Sequence, residues 1–424
     1  MHDDNVAMKD SEEVAQEIDT ATAEDYDFLI IGGGILGTAV AFLAAEAGYG
    51  VIVVRLNDES RPRADTLRNQ GWLQSGCIYK RSDFPDVDTY LRVVRRTLTG
   101  GRDMLRGLGI PPSPERAVVR VQTGSKKHLE FEARRKLLRI QDISPVLKPD
   151  EAEKQIGPTL YEAGSTYYST PDSPFDEALV VQRLRAQALD AGARFINLTA
   201  PVTLERGPSG LRVHIEGLII EPPMTLIAAG AGTVRCLSDL GQPPMAELRQ
   251  TPLMVYCGDH AASLPPIFID FERGFSSVRH RTASVASGAA VVVGTKVHRT
   301  IEFRQPEARR IESKDISDFK ACLSDTFTSF LPEARFTAGF ELIPLDKSRS
   351  FLAPWIEDLT DVVLASPGRA TLGWMAAREV FLLMLSKLSG AGRQRIEPVS
   401  APPWECQIHM HFSDHYSFTD AEEA

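Results

Sequence analysis

The chain has 424 residues, of which 43% are hydrophobic and 25% are charged, with a formal net charge of -10. This length suffices for two to three domain-sized units and at least one large core. The negative charge argues against a polyanion such as nucleic acid as the main partner. No apolar run approaches the roughly 20 residues that would span a bilayer.

Two features bear on where the protein works. Residues 1–24 are acidic and lack the basic start and apolar centre of a signal peptide, so we expect a solvated, disordered tail. The cysteines are odd in number, scattered, and never spaced as CxxC, which favours reduced thiols in a cytoplasmic protein over a disulfide framework. They are Cys77, Cys236, Cys257, Cys322 and Cys406.

The first patterned stretch predicts a strand, a glycine turn, a helix and a second strand. Residues 28–31 form a short apolar run typical of a parallel strand buried on both faces. A helix should end near Ala47, because Gly48 suits the position after a helix, and residues 51–54 form the second strand. Between the first strand and the helix the glycines follow the pattern GxGxxG: Gly32, Gly34 and Gly37.

Each glycine has a physical reason in a dinucleotide site. The first permits a tight turn, the second lets a diphosphate approach bare backbone, and the third lets helix and strand pack closely. The helix then begins at Ile35 and Leu36, where unpaired N–H groups and a partial positive charge face the phosphates. The sequence therefore predicts dinucleotide binding at this turn.

Arg55 leaves the identity of the dinucleotide open at this stage. The second strand of such a unit normally ends in an acidic residue that binds ribose hydroxyls, whereas this chain has Arg55. An arginine there accommodates a 2′-phosphate, so an NADP-dependent oxidoreductase is one alternative. Asp58 or Glu59, in the following loop, is an alternative ribose ligand.

Residues 66–76 carry the strongest family resemblance. The run TLRNQGWLQSG resembles the Ser/Thr-x-x-Asn-x-Gly stretch beside the flavin ring in the D-amino acid oxidase (DAO) superfamily of FAD-dependent oxidoreductases. It is most similar to the L-2-hydroxyglutarate oxidase branch, where a similar run continues into a tyrosine, as at Tyr79. The resemblance implies cofactor contacts from Thr66, Arg68, Asn69, Gln70, Gly71, Trp72 and Leu73.

Gln74 departs from this pattern. The hydroxyglutarate branch usually has histidine where this chain has Gln74. Related dehydrogenases use a histidine in this stretch for a covalent flavin bond. The resemblance therefore implies that FAD is bound non-covalently.

Two later segments are similar to cofactor segments of the same superfamily. Residues 226–233 match its small-residue motif at a strand end, where the backbone approaches the dinucleotide. Residues 362–373 match its C-terminal flavin loop, whose helix start faces the flavin edge that becomes negative on reduction. The implied contacts, together with backbone contacts to adenine at Val202, are Ala229, Gly230, Gly368, Arg369, Ala370, Thr371 and Leu372.

The resemblance covers residues 26–388 and implies an α/β fold. A Rossmann-type βαβ FAD-binding domain is expected over residues 25–109, 164–247 and 345–388. An interleaved α+β substrate domain, built on a mixed or antiparallel sheet, takes residues 110–163 and 248–344, and residues 389–424 form a C-terminal extension. Further strands are predicted at residues 117–122, 195–197, 211–215, 218–220, 252–257, 267–270 and 289–294, and helices at residues 149–155 and 176–191.

The resemblance also implies the chemistry. A small-molecule substrate with a CH–NH or CH–OH carbon transfers a hydride to flavin N5, and O2 or another carrier then takes the electrons. A neutral amine needs no strong protein base, whereas an alcohol benefits from a histidine, for which His280 and His298 are candidates. A flavin-binding protein without turnover is the non-enzymatic alternative, motivated by Gln74 and Glu341.

The candidate catalytic residues are Gln74, Tyr79, Glu341 and Arg369. Glu341 lies where glycine oxidase has the arginine of a Gly-x-Arg-Pro strand, so the charge is reversed, and we expect it to select a cationic or hydroxylated group. Arg369 matches an arginine of the glycine oxidase flavin loop and is the first candidate for binding a carboxylate, with Arg349 a weaker one.

The C-terminal tail contains metal-capable side chains at close spacing: Cys406, His409, His411 and His415. The cluster is terminal and lacks a second partner motif. We therefore predict no metal site.

Overall fold

The computed structural model describes residues 26–56, 70–208, 210–281, 288–301, 311–346, 348–368 and 372–390. Their strands are β1 (Phe28–Ile31), β2 (Val51–Leu56), β3 (Trp72–Leu73), β4 (Ala117–Gln122), β5 (Ser165–Thr170), β6 (Ser173–Pro174), β7 (Arg194–Leu198), β8 (Thr203–Gly207), β9 (Gly210–Ile215), β10 (Leu218–Ile220), β11 (Met224–Ile227), β12 (Ala246–Tyr256), β13 (Ile267–Asp270), β14 (Phe275–Arg281), β15 (Ala289–Thr295), β16 (Arg299–Ile301), β17 (Arg335–Pro344), β18 (Trp355–Asp358) and β19 (Val362–Ser366).

The helices of the same residues are α1 (Ile35–Glu46), α2 (Val87–Gly107), α3 (Lys126–Leu137), α4 (Pro149–Ile156), α5 (Glu177–Asp190), α6 (Thr233–Asp239), α7 (Ser313–Ala321), α8 (Asp325–Ser329) and α9 (Gly373–Gly390). The strands predicted at residues 28–31, 117–122, 218–220 and 267–270 have these same bounds. Helix α2 and strand β17 were not predicted from the sequence. In the described part of the chain, no helix is long and apolar enough to cross a membrane.

A six-stranded sheet carries the N-terminal βαβ unit, with the strand order β18-β19-β11-β1-β2-β7. β1 lies between β11 and β2 and pairs in parallel with both. Its side chains alternate between two cores: Phe28 and Ile30 pack with α1, α5 and α9, while Leu29 and Ile31 pack toward β8–β10. Burial on both faces explains why this strand is a continuous apolar run.

The second large sheet has the order β16-β12-β15-β14-β13-β4-β5, and β17 pairs with the free edge of β12. Its pairs are antiparallel except for β13 with β4, so the sheet is mixed, as expected. The chain enters this sheet at β4 and β5, returns to the first sheet, and enters it again at β12. β5 belongs to the larger sheet, although residues 164–247 were assigned to the FAD-binding domain from the sequence.

An ionic network fixes the edge of the second sheet. The Arg120 guanidinium donates to Asp270 Oδ2 at 2.6 Å and also to the Glu162 carboxylate. Arg273 Nη1 donates to Glu162 Oε1 at 2.5 Å and to Asp270 Oδ2 at 3.0 Å. Asp270 is buried (1% exposed), and its charge is stabilised by these partners together with the Arg273 backbone N–H, which donates to Oδ1 at 2.9 Å.

Replacing Asp270 by asparagine should destabilise the protein by about 3 kcal/mol, because two arginines would then share one carboxylate in a poorly solvated site. Urea unfolding followed by circular dichroism measures this change. The control is Asp318→Asn, which breaks an exposed Lys314–Asp318 pair and should alter stability by no more than about 0.5 kcal/mol. Equal effects in the two variants would contradict a structural role for the network.

Candidate active site

The turn after β1 has no room for side chains at two of its glycines. Gly32 has φ +117°, and a Cβ built there would lie 2.3 Å from the Ala228 carbonyl oxygen. A Cβ at Gly37 would lie 1.9 Å from the Gly32 carbonyl oxygen. The backbone of β1, the end of β11 and the start of α1 therefore meet at distances that only glycine permits.

The first turn of α1 is available to a ligand. Gly34 is the N-cap residue and provides no side-chain hydrogen bond, and the first turn contains no acidic residue. The N–H groups at this helix start and the partial positive charge there suit an anionic group such as a diphosphate. Thr38 Oγ1 donates to the Gly33 carbonyl at 3.2 Å, which holds the turn against the helix.

A cleft of about 1280 Å³ begins at this turn and extends to the second sheet. It exceeds the ~300–1,000 Å³ of pockets for drug-sized ligands, so it has room for a dinucleotide and a substrate. The sequence-predicted residues that line it are Gly32, Gly34, Ile35, Leu36, Arg55, Gln70, Trp72, Gln74, Tyr79, Val202, Ala229, Gly230, Glu341 and Gly368.

The other predicted residues lie elsewhere. Four are described but do not line the cleft: Gly37, Gly71, Leu73 and Leu372. Six lie outside the described residues: Thr66, Arg68, Asn69, Arg369, Ala370 and Thr371. Asp58, Glu59 and the tail residues Cys406, His409, His411 and His415 also lie outside them.

Arg55 is held in place by a residue that the sequence analysis did not identify. Its Nε donates to Asn197 Oδ1 at 2.6 Å, and the two residues are direct partners between β2 and β7. Both line the cleft near Val202. The amide fixes the guanidinium at the strand end where a dinucleotide-binding unit usually has its ribose ligand. Only the strand register brings Asn197 here.

The segment after residue 70 is anchored by a buried carboxylate. Asp172 is fully buried and accepts hydrogen bonds from Trp72 Nε1 (3.0 Å), Ser75 N (2.8 Å) and Ser75 Oγ (2.7 Å). Burial first, and the Asp172 charge second, raise the pKa of the nearby Cys77 thiol to about 12. Cys77 is therefore an inert thiol at neutral pH.

Gln70 and Gln74 connect this segment to other parts of the cleft. Gln70 Nε2 donates to the Ser276 carbonyl at 3.2 Å, and Gln70 Oε1 accepts from Ser276 Oγ at 3.1 Å, which ties the segment to β14. The buried Tyr79 donates its hydroxyl proton to Gln74 Oε1 at 2.6 Å. This bond occupies the Gln74 oxygen and orients the amide, whose N–H donors then remain for a ligand.

The far side of the cleft is a polar wall formed by β12 and β17. Thr251 pairs with Gly339, and Arg249 pairs with Glu341, in antiparallel register. Since alternate residues of a strand share one face, the side chains of Arg249, Thr251 and Glu341 point the same way, and these three residues and Gly339 line the cleft. Arg249 was missed from the sequence, because only the pairing of the two strands places it opposite Glu341.

The histidine candidates differ in position. Among the described residues, His298 lines the cleft at its exposed rim, where its Nδ1 lies 2.8 Å from the Lys296 carbonyl oxygen. His280 does not line the cleft; its Nε2 lies 2.7 Å from the Gln70 carbonyl oxygen, and its ring fills the space beside Gly71. His280 therefore packs against the Gln70–Gly71 backbone. The described residues also contain no cluster of three or more metal-ligating side chains.

A mostly parallel sheet with a glycine turn, whose cleft continues to a polar sheet face, is typical of dinucleotide-dependent oxidoreductases. The family model described as FAD dependent oxidoreductase (DAO) matches residues 27–381. The chain therefore belongs to this family of FAD-dependent enzymes. The prediction of FAD is confirmed, and the NADP alternative raised by Arg55 is set aside.

Solved structures with the same fold include three oxidases. Iminodiacetate oxidase from a Chelativorans species has a TM-score of 0.63 and 20% identity, covering 85% of this chain and 95% of that one. Glycine oxidase from Geobacillus kaustophilus has a TM-score of 0.62 and 16% identity, covering 87% and 95%. L-alpha-glycerophosphate oxidase from Mycoplasma pneumoniae, with FAD bound, has a TM-score of 0.64 and 16% identity, covering 85% and 95%. No curated protein matches the chain by sequence.

The residues present fit FAD. Gly32 leaves bare backbone at the turn, the start of α1 offers N–H donors, and Gly230 lies at the end of the neighbouring strand. At Gly368, in the later segment, a Cβ would lie 2.3 Å from the Ala353 carbonyl oxygen, so that backbone also runs close-packed beside the cleft.

Gly37→Ala should therefore abolish FAD binding, because the new methyl group would force α1 away from the turn. Bound FAD is measured on purified protein by its absorbance near ~450 nm relative to that at 280 nm, since the isoalloxazine is the chromophore. The matched control is Gly48→Ala: its φ is +84°, but no atom lies within 4 Å of the added Cβ, so FAD should be retained. A folded Gly37→Ala protein with full FAD content would contradict this account of the turn.

Proposed function

We propose that the protein is an FAD-dependent oxidase or dehydrogenase that oxidises the CH–NH carbon of a small polar molecule. One observation carries the proposal: the glycine turn and the polar wall line the same cleft. A cofactor held at the turn and a substrate held at the wall would share one enclosed space, which is what a direct transfer between them requires.

Bound FAD would supply the electron acceptor, taking up the hydride that the substrate carbon loses. The balance at the substrate is simple: an amine gives up a hydride from carbon and a proton from nitrogen, and a C=N bond forms. Residues of the chain have only to bind the amine, take its proton and exclude water. O2 or another carrier then accepts the electrons.

Glu341 is the proposed group that meets the amine. Its carboxylate lies on the wall of the cleft and can bind a substrate ammonium, then accept the proton that this ammonium must lose before oxidation. Gln74, oriented by Tyr79, offers its amide N–H groups from the opposite segment. Arg369 keeps its proposed role toward a carboxylate, although it lies outside the described residues. With glutamine in place of histidine at position 74, we propose that FAD is held non-covalently.

The position of the histidines favours an amine over an alcohol. Alcohol oxidation benefits from a well-placed histidine base. In the described chain, the cleft-lining histidine is His298, an exposed rim residue, and His280 is committed to the Gln70 backbone. Oxidation of a 2-hydroxy acid, with His298 as the base, is the second candidate. Similar folds support both, since they include iminodiacetate, glycine and glycerophosphate oxidases.

An anaerobic screen tests the proposal. The purified yellow protein is mixed with amines, amino acids and 2-hydroxy acids, and loss of the ~450 nm flavin band is followed with time. We expect an amine or amino acid to bleach the band and hydroxy acids to act more slowly or not at all. Bleaching by hydroxy acids alone would select the second candidate. Protein that binds FAD but is bleached by no compound would support a flavin-binding protein without turnover.

Replacing Glu341 should affect substrate binding and not the cofactor. Glu341→Gln and Glu341→Ala should raise KM about tenfold or more, because a charge-assisted hydrogen bond to the substrate is worth about 1.5–3 kcal/mol. FAD content should stay unchanged in both. Glu153→Gln, on the exposed surface of α4, is the control. Unchanged kinetics in both Glu341 variants would reject this role.

A further inference from the structure

The cross-strand pair in the polar wall contains one acidic and one basic side chain. Arg249 on β12 lies directly opposite Glu341 on β17. Directly opposed residues of an antiparallel pair have Cβ atoms about 4.5–5.5 Å apart on the same face. A small molecule in the cleft can therefore reach both side chains at once.

Arg249 has hydrogen-bonding capacity that the described protein does not use. Its Nε is buried and, within the described chain, has no hydrogen-bond partner. The carboxylate of Glu247 lies 3.8 Å from Arg249 Nη2, which is a long ion pair, and the guanidinium carbon lies 5.6 Å from the centre of the Phe351 ring. The ring supports the planar guanidinium, and because the Nε atom is buried, a ligand in the cleft would meet the terminal Nη groups.

Arg120, an arginine with a structural role, provides a comparison for Arg249. Each of the three Arg120 guanidinium nitrogens donates to a partner, namely Ser165, Asp270 and Glu162. Arg249 is more exposed, with 21% of its side chain accessible against 7% for Arg120, and within the described chain it has no such set of hydrogen-bond partners. A guanidinium in a cleft with an unused fork is suited to a carboxylate, which it binds through two parallel hydrogen bonds.

The neighbouring pair leaves room for a ligand at this point. Thr251 and Gly339 follow Arg249 and Glu341 along the two strands, and both are small. Side chains therefore take up little space beside the two charges. A molecule with an anionic and a cationic group close together could lie there with each group facing its opposite charge.

We propose that Arg249 binds the carboxylate of the substrate and that, with Glu341, it selects dipolar substrates, those carrying a carboxylate near the amine that is oxidised. This inference rests on the proposed function and narrows its substrate class to amino acids. It also assigns binding of the substrate carboxylate to Arg249 on β12, whereas the sequence predicted Arg369 in the flavin loop for this role.

Three probes of similar size separate the two charges: pivalate, tert-butylammonium and 2-aminoisobutyrate. None has a hydrogen on the carbon that bears its charged groups, so none can be oxidised there. Each is titrated into the FAD-bound protein, and the change in the visible flavin spectrum gives a Kd. The wild type should bind 2-aminoisobutyrate more tightly than either singly charged probe.

Variants of Arg249 and Glu341 should then show that each residue binds a different charged group of the ligand. Arg249→Met should weaken pivalate and 2-aminoisobutyrate about tenfold or more and leave tert-butylammonium unchanged or tighter. Glu341→Gln should weaken the binding of tert-butylammonium and 2-aminoisobutyrate and leave pivalate binding unchanged or tighter. Arg249→Lys should restore part of the pivalate affinity, since lysine supplies the charge without the fork. The control is Arg281→Met, whose side chain is 82% exposed and outside the cleft.

Two results would overturn the inference: pivalate affinity in FAD-loaded Arg249→Met within twofold of wild type, or no spectral response of the wild type to any of the three probes. The proposed function fails separately. If amines bleach the flavin but Arg249→Met binds pivalate normally, only the carboxylate assignment is wrong. If no compound bleaches the flavin but the variants change the probe affinities as described, the assignment of the binding site holds and the proposed oxidation is wrong.

Discussion

The contact between the backbones of Gly32 and Ala228 is the constraint on which the rest of the site depends. At this contact two neighbouring parallel strands end so close together that a single added carbon would overlap a carbonyl oxygen. The chain must turn there, and α1 must start there, with its N–H groups facing the cleft. Because the carboxyl ends of parallel strands meet at one sheet edge, β2 and β19 deliver Arg55 and Gly368 to the same cleft.

The second requirement is that the segment from Gln70 to Tyr79 keeps its shape between two sheets. It has little regular structure of its own, and its backbone is fixed by side chains distant in sequence. Asp172 holds Trp72 and Ser75 from one side, and Ser276 holds Gln70 from the other. Buried hydrogen bonds to a carboxylate are among the stronger ones in proteins. They therefore hold this segment rigidly where it lines the cleft.

In the proposed function, substrate selectivity resides in a different part of the molecule from cofactor binding. The turn that accepts a dinucleotide is backbone, glycine and helix dipole, which are general features of the fold. The polar wall is made of side chains on β12 and β17, and its charges can change without disturbing the turn. On these strands a carboxylate at position 341 lies directly across from an arginine at position 249.

The sequence by itself determined the parts that depend on neighbouring residues. Apolar runs gave β1, β4, β10 and β13 their bounds, the glycine spacing gave the turn, and the order of three motifs gave the family. The tertiary structure decided whatever depends on pairing between distant segments: Asn197 beside Arg55, Asp172 beneath Trp72, and Arg249 across from Glu341. Strand register and buried hydrogen bonds join residues far apart in the chain, and a local pattern contains no information about which distant partner will be adjacent.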